Sequence, residues 1–362
     1  MKINFAYPEF GVGFHSGWCE LNNSPTQNLT LSYRRKVNLL ESEYKIINRD
    51  KNYLPPFFIK LKEGLVKGIS SGAGSTIIFY KNKYFKIKRN GYKNKGFVNN
   101  NIPDRGFSVL DNSFMEKTDF EIGGAMSLED ATNEIKYEKL IENLGIFLPQ
   151  KTVGLYKIKL PFEKDDAVAM IQEIQSDFRA DEFLIAILIN SFYDFYGEDC
   201  KLILEKKEFV YPEYDIQEGL NSLMKIFPEV TKIGKIIGGV YRKFHDKGYL
   251  RGIGNSWYGN EVICPNGEIS VCDLESCFSK KEVGGEKVFR ELCLTDLNLA
   301  KTAFYDSMNY FENSLASIFG SWLVKSFDEG YTECYEGKLD LKFIEETIDK
   351  FIKIKDKVIV YD

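Results

Sequence analysis

The sequence predicts an α+β chain: a β-rich first half that carries one helix, then a mainly helical second half broken by a small hairpin. Three observations predict it. β-branched and aromatic residues form short, partly alternating runs over 61–90. Apolar residues recur at helical spacing over 127–144 and 214–247, and the chain from Gly285 onward is again mostly helical in pattern. Between the last two, Pro265-Asn-Gly267 separates two apolar runs, a hairpin signal.

Residues 1–60 are aromatic and Asn-rich, read as β or irregular, and Pro55-Pro56 closes them like a linker, so they form an N-terminal extension. Gly64–Ser70, Ser75–Tyr80 and Tyr84–Lys88 then read as an antiparallel meander, with a Gly/Ser turn between its first two strands. Residues 91–128 are rich in Gly, Asn and Asp and read as an insertion; loops this long are usually functional or ordered by their own turns. Ser127 opens an S-x-x-D pattern, close to a capping box, before a helix with Ile135, Leu140, Ile141 and Leu144. Strands at Lys151–Lys159 and Ala167–Ile174 follow, then a polar stretch over Ser176–Asp181 and a helix at Glu182–Phe192. The next helix is strongest over Val230–His245; a loop at Gly248–Gly259 leads into the hairpin strands Glu261–Cys264 and Glu268–Cys272. The expected organisation is an extension at 1–60, a β-rich unit at 61–175 with the insertion 91–128, and a helical unit at 176–362.

Composition narrows the function classes. The 362 residues are 44% hydrophobic and 28% charged, which excludes a wholly disordered chain, a collagen-like repeat and a polytopic membrane protein. Lys+Arg is 48 against Asp+Glu 53, so a chain-wide basic footprint for nucleic acid is absent. The basic, aromatic stretch Lys81–Lys95 is a local exception. The 7 cysteines include no CxxC pair, which argues against a disulfide scaffold or zinc ribbon and suits a reducing cytoplasm. With only 2 histidines, His15 and His245, histidine metal sites and Ser-His-Asp chemistry are disfavoured. No secretory leader is expected at Met1–Phe14, and the apolar run at Phe183–Phe192 is too short to span a bilayer.

The chemistry concentrates around the hairpin. Asn260 begins one strand and Asp273 lies just past the end of the other, so the hairpin brings an amide and a carboxylate together. Both are hard oxygen donors suited to Mg²⁺ completed by phosphate oxygens.

Here the residues resemble the protein-kinase-like superfamily, most closely its small-molecule branch of aminoglycoside and choline kinase type. Gly254-Asn255 stands where that branch has Gly-Asp, Asn260 matches the loop Asn, and Asp273 matches the metal Asp. His245-Asp-Lys-Gly248 resembles the turn before the catalytic loop, with about two extra residues between Gly248 and Asn255. Ser70-Ser-Gly-Ala-Gly-Ser75 resembles a shortened nucleotide-covering loop, so Gly72, Gly74 and Ser75 are candidate phosphate-cradling residues. Lys86 resembles the phosphate-binding lysine, with Lys88 on the same face as its rival. Glu134 resembles the glutamate that orients it, with Glu138 one turn on as its rival. Gln172-Glu-Ile-Gln175 resembles the hinge that holds adenine, which makes Glu173 and Ile174 candidate nucleotide contacts.

The resemblance implies a two-lobed kinase-like fold, ATP and Mg²⁺ as cofactors, and phosphoryl transfer to a small-molecule or unusual acceptor. It covers roughly residues 61–280 by motif. No Ala-Pro-Glu follows Asp273, which disfavours a standard protein substrate. The main departure is Asn255. An amide cannot accept a proton at neutral pH, so the acceptor hydroxyl would be oriented but not deprotonated there. A pseudokinase that binds nucleotide or acts as a scaffold, a nucleic-acid-modifying kinase, and an adenylyl or glutamyl transferase are the alternatives. Arg251 is read either as a phosphate ligand or as a structural ion-pair residue.

Overall fold

The computed structural model describes residues 16–17, 26–34, 44–47, 58–61, 64–71, 75–80, 82–88, 104–108, 113–117, 126–158, 167–199, 216–252, 260–309 and 314–358. The chain is α+β. Its strands are β1 (Ser16–Gly17), β2 (Thr26–Arg34), β3 (Tyr44–Ile47), β4 (Phe58–Leu61), β5 (Gly64–Ser71), β6 (Ser75–Tyr80), β7 (Lys83–Lys88), β8 (Asp104–Ser108), β9 (Ser113–Lys117), β10 (Met126–Ser127), β11 (Gln150–Ile158), β12 (Ala167–Ile174), β13 (Tyr249–Leu250), β14 (Glu261–Ile263), β15 (Ile269–Val271) and β16 (Phe278–Ser279). Its helices are α1 (Leu128–Asn143), α2 (Ala180–Tyr196), α3 (Ile216–Asp246), α4 (Glu286–Asn309), α5 (Ser314–Glu333) and α6 (Leu341–Val358).

The expected meander is present. β5, β6 and β7 pair antiparallel in sequence order, and β7 pairs on its other side with β12. β12 pairs with β11, which pairs with β2, so strands from the first sixty residues join the same sheet. The insertion contains its own hairpin, β8–β9.

Helix α1 lies between two clusters. Ala131 and Ile135 pack with Leu155 of β11 and Met170 of β12. Tyr137 and Ile141 pack with Val240 and Phe244 of α3, Val271 of β15 and Leu274. Burial of such side chains stabilises by about 1.5–3 kcal/mol each. One helix is thereby fixed against both the sheet and the hairpin.

The largest core joins α2, α3, α5 and α6 around Phe183, Leu188, Ile237, Phe319, Phe327 and Phe351. The apolar run at 183–192 is the buried middle of α2, apolar on all sides because other elements surround it. Among the described residues, no helix is long and apolar enough to cross a membrane. Helices α3 and α5 approach at backbone distance. A Cβ on Gly238 would overlap the Phe327 carbonyl oxygen, so only glycine fits there.

Candidate functional site

Strand β7 delivers two lysines to one face, because alternate strand residues share a side. Lys86 and Lys88 are only 2% and 3% exposed. In the antiparallel register they lie opposite Gln172 and Met170 of β12, and opposite Ile77 and Ser75 of β6. Their partners differ. Lys88 Nζ lies 2.6 Å from Glu134 Oε2, 2.7 Å from Asp273 Oδ1 and 3.0 Å from Glu275 Oε2. Lys86 Nζ lies 2.8 Å from Asp177 Oδ1.

The lysine that meets the α1 glutamate is therefore Lys88, and the expectation of a Lys86–Glu134 pair is corrected. The cause is lateral position: Lys88 is one pleat further along β7, where α1 and the end of the hairpin converge. Of the two candidate glutamates, Glu134 is the one that pairs with Lys88. Its other oxygen accepts Gln172 Nε2 at 2.9 Å. Glu138 accepts the backbone N–H of Thr152 at 2.8 Å and also its hydroxyl, so it ties α1 to β11.

The hairpin forms as read. Glu261 pairs with Val271, Ile263 pairs with Ile269, and the turn closes with Gly267 N–H donating to the Cys264 carbonyl at 2.9 Å. Cys272 N–H donates to the Asn260 carbonyl at 2.9 Å, which places Asn260 beside Asp273. Asp273 itself is left-handed, at φ 54° and ψ 63°, uncommon for a residue with a Cβ. That twist starts the short 3₁₀ turn Leu274–Ser276, which returns Glu275 to Lys88. The Asn133 side-chain amide of α1 donates to the Glu275 carbonyl, clasping the turn.

Arg251 fixes the same backbone from below. Fully buried, it donates to the carbonyls of Cys272 and Asp273, the latter at 2.7 Å. Those bonds to backbone carbonyls favour the structural reading of Arg251. Asp296 of α4 accepts the backbone N–H groups of Arg251 and Gly252 at 2.8 Å each, and contacts His245 Nε2 at 3.0 Å. Gly252 has φ +81°, and a Cβ there would overlap the Ser276 carbonyl oxygen.

The electrostatics follow from one ammonium facing three carboxylates. Burial opposes ionisation of Asp273, but Lys88, Arg179 and Lys86 hold it well below the usual carboxylate range. Burial pushes Glu134 up to about 8; Lys88 opposes this, while Glu275 and Asp273 add to it. The cluster thus favours an additional positive charge, a proton or a cation. Oxygens of Glu134, Asp273 and Glu275 all lie within 4.8 Å of one another, a spacing that one metal ion can span once the Lys88 ammonium, now 2.6–3.0 Å from these carboxylates, moves aside.

The candidate nucleotide contacts distribute differently. Ser75 is buried at the start of β6, opposite Lys88. Glu173 points to the other face of β12, where it pairs with Lys83 at 2.7 Å. Glu173 and Ile174 are flanked by β11 and β7 on both edges, so their backbone lacks the free edge that a base would need, and that expectation is corrected. Gly72, Gly74 and Asn255 lie outside the described residues.

Four contributors were not foreseen: Asp177, Arg179, Gln150 and Asp296. Asp296 had a visible signal, a carboxylate among the apolar positions Leu292, Leu297 and Ala300 of a helix. Asp177 lay in a stretch legible only as polar. No family model matches the chain, and no curated protein matches it.

Proposed function

We propose that this chain is a Mg²⁺- and nucleotide-dependent transferase of two-lobed, protein-kinase-like fold, moving a phosphoryl group to a small-molecule or unusual acceptor in the cytoplasm. One observation carries the reading. A strand lysine, a helix glutamate and a post-hairpin aspartate converge, with Lys88 Nζ 2.6 Å from Glu134 and 2.7 Å from Asp273. Three elements distant in sequence have no packing reason to meet at charged residues. Buried charges are costly unless paired, and they concentrate where chemistry needs them.

In this reading Lys88 holds phosphate oxygens and Glu134 orients Lys88. Asp273, Glu275 and Asn260 supply hard oxygen donors for Mg²⁺, and the excess of carboxylate over ammonium fits a divalent cation. Bound Mg²⁺ would neutralise charge on the transferring phosphate. Phosphoryl transfer depends mostly on positioning and charge stabilisation. Asn255 therefore serves by orienting the acceptor hydroxyl, and the donor is a nucleoside triphosphate, ATP or GTP. Three buried free thiols, Cys264, Cys272 and Cys277, suit a reducing compartment.

The test is thermal unfolding with and without Mg-nucleotide, ATP and GTP in parallel, on the unmodified chain and on Asp273→Ala. Ligand at about 100 times its Kd adds roughly 2.7 kcal/mol, a shift of about 5 °C for a chain of this size. The shift should require Mg²⁺ and vanish in the variant. No shift with either nucleotide refutes the reading.

Asn255 favours one second reading, a pseudokinase that binds nucleotide without turnover. Nucleotide binding with no phosphoryl transfer, even in Asn255→Asp, would select it.

A further inference from the structure

One step along β7 from Lys88, roughly 7 Å away, lies a second buried polar group. Lys86 Nζ is 2.8 Å from Asp177 Oδ1, and Gln150 Nε2 donates to the same oxygen at 2.7 Å. The orientation of the Gln150 amide is fixed. Its nitrogen faces the Asp177 carboxylate and, at 3.2 Å, the Ser176 carbonyl; both are acceptors, and a flipped amide would oppose oxygen to oxygen. Its Oε1 is left buried with no hydrogen-bond partner among the described residues, and Gln150 is only 3% exposed. An acceptor buried without a donor is costly; Gln150 Oε1 is one of several such acceptors among the described residues, and it stands beside a buried lysine and carboxylate, where a donating ligand would satisfy it.

Part of the neighbouring backbone is engaged. Gln175 N–H donates to the Pro149 carbonyl at 2.8 Å, Phe178 N–H to Ser176 Oγ at 3.1 Å, and Ile263 N–H to the Phe178 carbonyl at 2.8 Å. The side chains beside these bonds can carry recognition. They offer two acceptors and a donor: Gln150 Oε1, the Asp177 carboxylate, whose Oδ1 also lies 3.5 Å from Arg179 Nη2, and the Lys86 ammonium. The guanine edge presents the complement, with two N–H donors at N2 and N1 and an acceptor at O6. Adenine would set its N1 lone pair against a carboxylate, an unfavourable contact that rejects it.

We infer that Lys86, Asp177 and Gln150 form a base-reading site that selects guanine over adenine nucleotides. The inference rests on the nucleotide site proposed above. It replaces the backbone hinge contact expected from the sequence with a side-chain contact, and gives Lys86 a role distinct from that of Lys88. On binding, Lys86 exchanges its contact with Asp177 for one with O6, while the carboxylate accepts the ring N–H.

The experiment is isothermal titration of the full chain with the Mg²⁺ salts of GTP, ATP and ITP, which is GTP without its 2-amino group. GTP should bind about ten- to a hundredfold more tightly than ATP, as expected for hydrogen bonds to a charged group. ITP should fall between them. In Asp177→Asn, GTP should lose affinity while ATP gains it, because the new amide can donate to the adenine N1 lone pair; a merely structural Asp177 would weaken both nucleotides alike. ATP binding as tightly as GTP to the unmodified chain overturns the inference and leaves the transferase reading intact. ITP binding as tightly as GTP removes Gln150 from the site. Binding of none of the three overturns both. The decisive arms use the unmodified chain, so a variant that fails to fold does not obscure the result.

Discussion

Raising the pH through neutrality should destabilise this chain through one carboxyl group. Burial holds Glu134 at about 8 against an ordinary 4.5, with Lys88 opposing and Glu275 and Asp273 adding to the rise. Between those two values the folded chain keeps a proton that the unfolded chain has released. The folded state binds more protons, so stability falls as pH rises across that window. At about 1.4 kcal/mol per pH unit, the full interval is worth roughly 5 kcal/mol. Relaxation and water entry around the newly ionised carboxylate recover part of this, so we expect about half of that, on the order of 2–3 kcal/mol. Asp273, held low, acts in a different window: its contribution is present above the ordinary aspartate value and is lost only in strong acid. Urea unfolding from about pH 5 to about pH 8.5 reads the effect. Glu134→Gln should flatten the profile, because no proton remains to be lost, and Mg²⁺ should flatten it in the unmodified chain by replacing that proton. Equal slopes in the unmodified chain and the variant would refute the assignment of the proton to Glu134.

Two further predictions concern the scaffold. Gly238→Ala sets a methyl group against the Phe327 carbonyl of α5 and should cost about 1–3 kcal/mol, read as a fall in Tm of several degrees; an unchanged or raised Tm would show that α3 and α5 are not in backbone contact. Asp296→Ala strips the acceptor from the Arg251 and Gly252 N–H groups and should cost roughly 3 kcal/mol. Hydrogen exchange at those two amides should quicken, and unchanged protection there would refute the contact.

Much of the architecture was legible because short-range patterns set it. The meander, the α1 helix and the Pro265-Asn-Gly267 hairpin all follow from residues within one element or one turn. The return of the Asn260 backbone to the strand end before Asp273 was legible for the same reason, since a hairpin brings its ends together. The choice between Lys86 and Lys88 was not. A period of two places both on one face, and only the docking position of α1 separates them. Glu134 and Glu138 posed the same ambiguity at helical period; both are buried and used, one on Lys88 and one on Thr152. Asp296 reaches back more than forty residues to hold the chain at Arg251, and no local pattern encodes such a contact. The N-terminal strands joined the main sheet through β2–β11 pairing for a similar reason: their partner lies more than a hundred residues away.

The left-handed backbone at Asp273 limits which residues can stand there. Of the twenty side chains, glycine, asparagine and aspartate adopt that conformation most readily. Of those three, only aspartate carries a negative charge to place against Lys88. Asparagine would keep the shape and lose the charge; glutamate would keep the charge and strain the shape. Backbone and electrostatics thus select the same residue independently, and no conservative replacement satisfies both.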